Sequence, residues 1–470
     1  MSKIIRSLQD DLNEFGADLH LIGSETLQGR HPGEHPDNFG AGAMAQPATP
    51  EAAAAIVRWC AENNVPIVPQ GGRTGLVGGG VSRPGDLIVS TAKLNRIEAI
   101  DPLARTATVG AGVTLQALQE AAAEFGLTPG IDLAARGTAT IGGMIATNAG
   151  GILAFRNGVM RHQVLGIEAV MPDGSLVSDL TRVLKVSAGP DIKQLLIGSE
   201  GAYGLVTRAV VKLESFNPQR ATALVGVRDA TSALALVGHF RRQPAVQLEG
   251  TELMWRKFFS DSARERSVDT DWLDGETQAI LLMEVSAANE ANARSALEEG
   301  LAALWEEQTL TGGIVAGSLD QARRFWSLRE DDSFMYRMFP SAPSFDVSLP
   351  PDALDRYVAE LTDRLKAIHA DFYAYVYGHV SDGNLHICVA GPGIAAASLK
   401  APIEDAVYTG VTEAGGSFSA EHGVGMEKRR AYLTFGNPAR RAVAQAIKAA
   451  LDPKNLFNPG KVPYSADPNT

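Results

Sequence analysis

Glycine-rich turns recur through the first half of the chain, and they limit the folds that this half can adopt. The longest, at 71–80, reads Gly-Gly-Arg-Thr-Gly-Leu-Val-Gly-Gly-Gly, and further turns follow at 129–132, 137–143, 147–151 and 198–204. Successive glycines let backbone N–H groups converge on phosphate oxygens, because no side chain blocks the approach. Several such turns in succession suit a long ligand with two phosphates that lies across a sheet.

The turn at 71–80 does not match the two common nucleotide-binding motifs. It lacks the Gly-Lys-Ser/Thr ending of the P-loop that binds nucleoside triphosphates. It also does not open a helix with Gly-x-Gly-x-x-Gly, followed about 20 residues later by an acid on a second strand. We therefore do not expect a nicotinamide cofactor on a Rossmann fold. Taken alone, the turn is equally compatible with a glycine-rich hairpin that binds no ligand.

A second informative stretch is His379-Val-Ser-Asp-Gly-Asn-Leu-His386, which we predict to be a β-hairpin. Large side chains alternate with small ones over 373–379, and Leu-His-Ile-Cys-Val follows the turn, so both arms resemble strands. Asp382-Gly383 is one of the strongest two-residue turn signals. This register would place His379 directly opposite His386, with their Cβ atoms roughly 5 Å apart.

A histidine pair at that separation suits a zinc-like ion. The later segment Ser419-Ala-Glu-His-Gly423 offers a carboxylate, Glu421, and another imidazole, His422. Two histidines and Glu421 would make three protein ligands with one position left open, which is the arrangement of a catalytic metal site. On spacing alone the alternative stays open that the histidines flank a turn by accident and that Glu421-His422 caps a helix.

Bulk properties narrow the functional classes. A chain of 470 residues exceeds the roughly 250 to 300 that one core supports, so two or more domains are expected. The net charge is 42 minus 54, or −12, without a basic run, which argues against nucleic acid as a partner. Cys60 and Cys388 are the only cysteines, which favours a reducing, cytoplasmic location. No transmembrane segment is expected, because no apolar run approaches about 20 residues. Peripheral membrane association stays open.

Patterning predicts an α+β protein with three parts. Residues 1–216 mix helices and strands with glycine-rich turns, and strands and helices then alternate over 217–415. That alternation predicts antiparallel sheets with helices on one face, as in a ferredoxin-like cap domain. Residues 416–470 hold two predicted helices and the sequence Asn-Pro-Gly-Lys at 458–461.

Together these motifs resemble the FAD-binding domain of vanillyl-alcohol oxidase type flavoproteins. The closest resemblance is to the FAD-dependent D-2-hydroxyacid dehydrogenases of the D-2-hydroxyglutarate and D-lactate dehydrogenase group, over about residues 40 to 465. The resemblance implies a FAD-binding domain at 1–216, a ferredoxin-like antiparallel substrate (cap) domain at 217–415, and a C-terminal helical segment at 416–470 that packs back on the FAD domain.

The same resemblance implies a FAD site on the glycine-rich turns, with the loop after Pro69 at the pyrophosphate and Asn458 closing over the flavin. The residues it assigns to the cofactor are Pro69, Gly71, Gly72, Arg73, Thr74, Gly75, Gly78, Pro129, Gly130, Asp132, Gly142, Gly143, Thr147, Asn148, Gly150, Gly151, Glu200, Gly201, Gly204, Val206 and Asn458. Some relatives attach flavin through a histidine in this domain. None lies between His35 and His162, so non-covalent FAD is expected.

The resemblance also assigns His379, His386 and Glu421 as ligands of a divalent metal ion, with zinc as the expected ion. The metal would bind the 2-hydroxyl and carboxylate of a D-2-hydroxyacid and lower the hydroxyl pKa. His422 would then remove that proton as general base while a hydride passes to flavin N5. A role for His422 as a helix cap or as a hydrogen-bond donor to the flavin remains an alternative.

Four further positions concern the substrate. Arg329 matches the family arginine that binds the substrate carboxylate, although a surface ion pair on a helix is the alternative, and Ser333 stands where the family has an assisting threonine. Ser344 and Cys388 replace a lysine and an asparagine of the hydroxyglutarate group. Losing two polar partners favours a shorter or more apolar acid, such as lactate, malate or a longer alkyl acid. Cys388 is expected to pack in the strand rather than act as a nucleophile.

The expected reaction is oxidation of a D-2-hydroxyacid to the 2-oxoacid, with electrons passed to electron-transferring flavoprotein or a quinone. Two other enzymes fit the same residues, an oxidase that uses O2 and a subunit of a glycolate oxidase complex. A non-catalytic FAD-binding subunit is the non-enzyme alternative. The sequence leaves the assembly open between a monomer and a homodimer.

Overall fold

The computed structural model describes residues 3–307 and 309–464, and the chain divides into two compact units. The discontinuous unit comprises Met1–Phe216 and Glu421–Thr470, and the inserted unit comprises Asn217–Ala420. The chain therefore leaves the discontinuous unit once and later returns to it. The return lies between Ala420 and Glu421, a few residues after the position 415 suggested by the sequence.

The first segment of the discontinuous unit carries two sheets. Its described strands are β1 (Leu19–Gly23), β2 (Ala43–Pro47), β3 (Ile67–Gln70), β4 (Leu87–Ser90), β5 (Ile97–Asp101), β6 (Thr106–Gly110), β7 (Leu127–Pro129), β8 (Val164–Val170), β9 (Leu176–Asp179) and β10 (Leu205–Ser215). Its helices are α1 (Lys3–Asp11), α2 (Ser24–Gln28), α3 (Pro50–Asn63), α4 (Leu115–Ala123), α5 (Ile141–Thr147), α6 (Ala154–Asn157), α7 (Met160–Gln163) and α8 (Lys193–Leu196).

The smaller sheet has the order β1-β2-β4-β3, with β2, β4 and β3 parallel to one another. All four residues of β4 are buried, as expected for a parallel strand with both faces covered. The larger sheet has the order β5-β6-β10-β8-β9 and is antiparallel, and β7 also pairs with β10. The turn at 71–80 follows β3, so its first residues are fixed by the carboxyl end of a parallel strand.

Helix α3 begins after a capping threonine and anchors the core of this unit. The Thr49 hydroxyl accepts a hydrogen bond from the Ala52 N–H, and Pro50 occupies the first turn. Ile56 of this helix shares an apolar cluster with Leu205 of the larger sheet and with Phe457 of the returning segment. Complete burial of a side chain such as Phe457 contributes roughly 1.5–3 kcal/mol. The returning segment is thus part of this core.

The inserted unit holds one sheet. Its described strands are β11 (Arg220–Val227), β12 (Gln247–Trp255), β13 (Ala279–Ser286), β14 (Gly312–Val315), β15 (Ser344–Ser348), β16 (Tyr373–His379) and β17 (Asn384–Ala390). Its helices are α9 (Ala230–Arg241), α10 (Arg256–Glu265), α11 (Glu290–Glu306), α12 (Leu319–Glu330), α13 (Ser333–Met338), α14 (Leu354–Ile368) and α15 (Lys400–Tyr408). Helices α16 (Arg429–Thr434) and α17 (Pro438–Leu451) follow in the returning segment.

The sheet of the inserted unit is antiparallel and has the order β14-β11-β13-β12-β16-β17-β15. Its first four strands, with α9 after β11 and α11 after β13, follow the β-α-β-β-α-β order of a ferredoxin-like fold, to which α10 is added between β12 and β13. The remaining strands extend that sheet beyond β12 through β16. The α+β class and the ferredoxin-like antiparallel cap predicted from the sequence are therefore confirmed.

Candidate active site

One cleft of the discontinuous unit collects the glycine-rich turns. The predicted cofactor residues that line it are Pro69, Gly71, Gly72, Arg73, Thr74, Gly75, Gly142, Gly143, Thr147, Gly150, Glu200, Gly201, Gly204 and Val206. They come from three places: the end of β3 with the turn after it, helix α5 with the turn that follows, and the turn before β10 with the start of that strand. The start of α5 is fixed by Thr140, whose hydroxyl accepts a hydrogen bond from the Gly143 N–H at 3.3 Å.

Glycine occupies positions in this cleft for two different structural reasons. A Cβ on Gly72 would lie 1.9 Å from the Thr138 carbonyl oxygen, and one on Gly142 would lie 2.6 Å from the Ala111 Cβ. These two glycines are needed so that neighbouring protein segments can pack closely. A Cβ on Gly75, in contrast, would meet nothing within 4 Å. At Gly75 the space is therefore free on the side where a side chain would project.

Buried polar atoms in the cleft fit a cofactor with phosphates. Arg73 has a left-handed backbone, with φ of +59°, and its guanidinium lies 5.1 Å from the centre of the Phe39 ring. Its Nε is buried, and among the described residues that atom has no hydrogen-bond partner; the same holds for Gln70 Oε1. Burial, followed by the charge of Arg30, lowers the pKa of Arg73. A diphosphate would offer an acceptor to this buried nitrogen.

The returning segment brings a carboxylate and an imidazole to the same cleft, since Glu421 and His422 both belong to its lining. Glu421 Oε2 accepts a hydrogen bond from the Gly151 N–H at 3.1 Å. Helix α16 begins only at Arg429, so the interpretation of Glu421-His422 as a helix cap is wrong. His422 instead lies in an irregular turn beside the glycine-rich loops.

Glu200 holds the turn that follows His422. Its two carboxylate oxygens accept hydrogen bonds from the N–H groups of Val424 and Gly425, each at 2.7 Å. Burial raises the pKa of Glu200, although these two donors act against the shift. Glu200 is thus bonded to the protein backbone, and its side chain fixes where His422 stands relative to the glycine-rich turns.

Asn458 and Lys461 fasten the far end of the 71–80 turn. The Asn458 side-chain amide donates hydrogen bonds to the carbonyl oxygens of Gly79 at 3.1 Å and Glu200 at 2.8 Å. The Lys461 ammonium donates to the Val81 carbonyl and to Asn458 Oδ1, both at 2.5 Å. Asn458 is only 2% exposed. It therefore belongs to the wall of the cleft and lies outside the lining.

Several other predicted cofactor residues also lie behind the lining. They are Gly78, Pro129, Gly130, Asp132, Asn148 and Gly151. Asp132 forms an ion pair with Arg136 at 2.8 Å, and Asn148 Oδ1 accepts a hydrogen bond from the Arg161 N–H at 2.9 Å. A Cβ on Gly151 would lie 2.0 Å from the Asp132 carbonyl oxygen. In the structure these residues connect the loops that form the cleft.

The histidine hairpin of the inserted unit has a different register from the predicted one. His379 pairs with Asn384, and His386 pairs with Tyr377. The loop therefore has four residues, 380–383, instead of two. Gly383 adopts a φ of +77°, and its carbonyl oxygen accepts a hydrogen bond from the Leu349 N–H at 3.0 Å. This contact with the neighbouring segment favours the wider loop, which a local turn signal could not reveal.

The two histidines remain neighbours in the observed register, because residues two positions apart in the pairing share one face of a sheet. Their ring centres lie 5.5 Å apart at an interplanar angle of 80°. His379 is buried, and its Nδ1 lies 2.6 Å from Glu252 Oε1. With Nδ1–H as the donor, His379 Nε2 carries the lone pair that a metal ligand needs, so the pair fits a divalent ion.

Arg329 does not form a surface ion pair, because only 9% of the residue is exposed. Its Nε lies 2.7 Å from Glu252 Oε2, and its guanidinium lies 4.8 Å from the centre of the Tyr377 ring. The Tyr377 hydroxyl donates to Asp332 Oδ2 at 2.7 Å. Burial acts to raise the pKa of Glu252, but its interactions with His379 and with the charge of Arg329 outweigh this effect and lower the pKa to about 2.

Glu252 was missed in the sequence, although a signal was present. It is an acidic residue in the middle of a strand, β12, whose other residues are almost all buried. Charged residues are rarely buried unless they are paired. That position alone could have identified Glu252 as a residue with a partner, but its partners could not be named without the fold.

The remaining substrate candidates differ in exposure. Ser333 donates to Asp331 Oδ1 at 2.5 Å at the start of α13. Ser344 lies opposite Cys388 on neighbouring strands, and its hydroxyl lies 2.5 Å from that of Tyr336. Cys388 is buried, and burial raises the pKa of its thiol to about 12. A thiol that stays protonated fits a packing role better than that of a nucleophile.

Comparison with protein families identifies two matching regions. Residues 41–179 match the FAD binding domain, and residues 217–462 match the C-terminal domain of FAD linked oxidases. The chain is 34% identical to D-2-hydroxyglutarate dehydrogenase of Xanthomonas citri pv. viticola over 432 residues, which cover 89% of each chain. It is 33% identical to the mitochondrial D-2-hydroxyglutarate dehydrogenase of Danio rerio, covering 89% of this chain and 78% of the other.

A solved structure shares the fold at much lower identity. The crystal structure of p-cresol methylhydroxylase with substrate bound has a TM-score of 0.72 and 16% identity, over 98% of this chain and 96% of that one. This likeness concerns the fold alone, and it agrees with the vanillyl-alcohol oxidase type of FAD-binding domain predicted from the motifs. Within the described residues, the structure contains no helix with the length and apolar character needed to span a membrane.

Proposed function

The chain belongs to the family of FAD-linked oxidases that contains the D-2-hydroxyglutarate dehydrogenases, and on this premise we propose that it oxidises a D-2-hydroxyacid to the 2-oxoacid. One observation carries the proposal. The cleft built from the glycine-rich turns is also lined by His422, an imidazole that arrives from a distant part of the chain. A cofactor cleft whose lining includes an imidazole is suited to removing a proton from a bound substrate.

FAD is the cofactor, and we propose that it is held without a covalent bond. The buried Nε of Arg73 and the open space at Gly75 support a diphosphate at the turn after β3. When bound, the flavin would supply the acceptor for a hydride. Acid precipitation should release the yellow colour into the supernatant, and colour retained on the precipitate would contradict non-covalent binding.

His379, His386 and Glu421 are the proposed ligands of a divalent ion, with zinc as the first choice. The support is the neighbouring imidazole pair of the inserted unit and the order of these residues along the chain. When bound, the ion would lower the pKa of the substrate hydroxyl. His422 would accept the hydroxyl proton, and the hydrogen bonds of Glu200 to the next turn would keep its imidazole in place.

The substrate proposal rests on Arg329, Ser344 and Cys388. The terminal nitrogens of Arg329 would hold the substrate carboxylate, since its Nε already lies 2.7 Å from Glu252 Oε2. Ser344 and buried Cys388 offer no cation to a second carboxylate. We therefore expect a short or apolar D-2-hydroxyacid such as lactate to be oxidised at least as well as D-2-hydroxyglutarate. Electron-transferring flavoprotein or a quinone would be the acceptor.

An anaerobic flavin-reduction assay tests the function. The yellow protein is mixed with D- and L-forms of lactate, malate and 2-hydroxyglutarate, with and without a chelator. Bleaching by at least one D-isomer, and its loss after chelation, is expected. No bleaching by any member, in protein shown to contain metal and FAD, would contradict the proposal. Rapid reoxidation in air would identify an oxidase instead of a dehydrogenase.

His422→Ala should keep FAD but slow flavin reduction by about 10²–10⁴-fold, the usual contribution of a general base. His20→Ala is the matched control, because His20 is an exposed histidine on β1 of the same unit and lies away from the cleft lining. Stopped-flow absorbance of the flavin measures both variants. Wild-type reduction rates in His422→Ala would remove His422 from the mechanism.

A further inference from the structure

Glu252 is a buried carboxylate of the inserted unit, and each of its oxygens faces a different partner. It lies on β12, directly opposite His379 on β16, and only 1% of the residue is exposed. A buried carboxylate is costly unless its charge is matched by close partners. The two partners of Glu252 are both residues of the proposed substrate site, so the carboxylate contacts two parts of that site at once.

The first oxygen, Oε1, lies 2.6 Å from His379 Nδ1. An ionised carboxylate only accepts hydrogen bonds, so the imidazole must carry its proton on Nδ1. His379 Nε2 then keeps a lone pair, which is what a metal ion requires of a histidine ligand. The contact also fixes the rotation of the ring. His386, whose ring centre is 5.5 Å away, can therefore meet the same ion as His379.

The second oxygen, Oε2, lies 2.7 Å from Arg329 Nε. This contact uses the inner nitrogen of the guanidinium and leaves the two terminal nitrogens as a fork for a carboxylate. The Tyr377 ring lies 4.8 Å from the guanidinium carbon, which restrains the plane of the group. The Glu252 carboxylate also balances the charge of Arg329, so this cation can stay buried near a histidine that binds a metal ion.

We propose that Glu252 is a positioning residue that sets both anchors of the substrate at once. One oxygen selects the metal-binding form of His379, and the other aims Arg329 at the substrate carboxylate. The inference rests on the proposed function, because it takes His379 as a metal ligand and Arg329 as the carboxylate-binding residue. It adds a coupling between them: a change at Glu252 should weaken metal binding and substrate binding together.

The test is a comparison of Glu252→Gln with Glu284→Gln. Glu284 is a matched control, because it is a buried glutamate on the neighbouring strand β13, paired with Arg220 at 2.7 Å, and it contacts neither histidine. Metal affinity is measured by titrating the metal-free, FAD-containing protein with Co2+ and following the absorption of the bound ion. Glu252→Gln should bind Co2+ about 10–100-fold more weakly, as expected for loss of a carboxylate behind a histidine ligand. Glu284→Gln should stay within about threefold of wild type.

Arg329→Met separates the two halves of the proposal. It should raise KM for D-lactate and D-2-hydroxyglutarate while the Co2+ affinity stays within about threefold of wild type, since the contact between Glu252 and His379 remains. Glu252→Gln should change both quantities. Wild-type Co2+ affinity and wild-type KM in folded Glu252→Gln would overturn the inference and leave the proposed function intact.

Two further outcomes are decisive. If the wild-type protein binds no Co2+ or Zn2+, the proposed metal chemistry fails, and KM in Glu252→Gln still shows whether the carboxylate aims Arg329. If Glu252→Gln does not fold, Glu252→Asp replaces it, because the shorter carboxylate keeps the charge but cannot reach both partners. A wild-type value for both Co2+ affinity and KM in Glu252→Asp would overturn the coupling.

Discussion

Lys461 is a buried cation that holds a binding loop without being part of the lining. Only 5% of the residue is exposed, and its ammonium donates to the Val81 carbonyl and to Asn458. Burial lowers its pKa to about 8, even though the charge of Asp86 acts in the opposite direction. The shape of the 71–80 turn therefore depends on a group whose charge is disfavoured in the folded protein.

This gives a pH-dependent prediction. The unfolded pKa of lysine is about 10.4, so between about pH 8 and 10.4 the unfolded chain binds more protons than the folded one at Lys461. The contribution of this residue to the free energy of unfolding should thus rise with pH across that window, by on the order of 3 kcal/mol at most. Lys461→Met lacks the titrating group. The difference in melting temperature, wild type minus Lys461→Met, should grow from pH 7.5 to 10. A difference that is constant or shrinks with pH would contradict the assignment.

Single residues show where sequence reasoning succeeds and where it stops. Arg73 was assigned to the cofactor because it lies in a glycine-rich turn, and its buried, unpartnered Nε, judged over the described residues, supports that assignment. Glu252 could not be assigned, since His379 is 127 residues away and becomes its neighbour only through strand pairing. Local motifs record local chemistry, whereas contacts across a sheet depend on the register of the whole sheet.

The histidine hairpin shows that a local signal also fails for a secondary-structure element when a distant segment contacts it. Both strands were predicted, but the loop was predicted two residues too short. The Asp-Gly signal describes an isolated hairpin, whereas here the Gly383 carbonyl bonds to Leu349 beyond strand β15. The ferredoxin-like character of the inserted unit was predicted better, because it depends on alternating strands and helices that the sequence displays directly.

Gly383→Ala should disturb this hairpin. The φ of +77° is unfavourable for alanine, and its Cβ would lie 1.9 Å from the Leu349 carbonyl oxygen. The left-handed conformation costs about 1–2 kcal/mol, and the collision adds to it. We expect a loss of more than about 2 kcal/mol of unfolding free energy, measured by chemical denaturation, together with weaker Co2+ binding.

Gly393→Ala is the matched control for that prediction. Gly393 also has a positive φ, of +65°, but a Cβ there would meet nothing within 4 Å. Its substitution should cost only about 1–2 kcal/mol and leave Co2+ affinity unchanged. Equal effects of the two substitutions would show that the contact of Gly383 with Leu349 does not hold the loop.

At the level of the whole chain, the family and the fold were recognisable from the motifs, and the comparisons confirm both. No single motif was sufficient. The glycine-rich turns, the histidine hairpin and Glu421-His422 identify the family through their order. The resemblance also implied that the C-terminal segment packs back on the first 216 residues, but the contacts that join them, such as Phe457 with α3, could not be named without the fold.

The inserted unit should fold alone. It is continuous over Asn217–Ala420 and contains its own complete sheet and buried core. A protein consisting of residues 217–420 should show a cooperative thermal transition by circular dichroism. Residues 217–372 are the control, since they lack β16 and β17 and leave the edge of β12 unpaired. A non-cooperative melt of 217–420 would show that this unit depends on the rest of the chain.

The clamp formed by Asn458 and Lys461 has a consequence for biosynthesis. The ribosome makes the 71–80 turn early, but it adds the residues that fasten this turn only after the whole inserted unit has emerged. Domains tend to fold as units during translation, so the inserted unit can form its sheet while the cofactor cleft is still incomplete. We therefore expect FAD to bind late, when the inserted unit is already folded and residues 458–461 have reached the 71–80 turn.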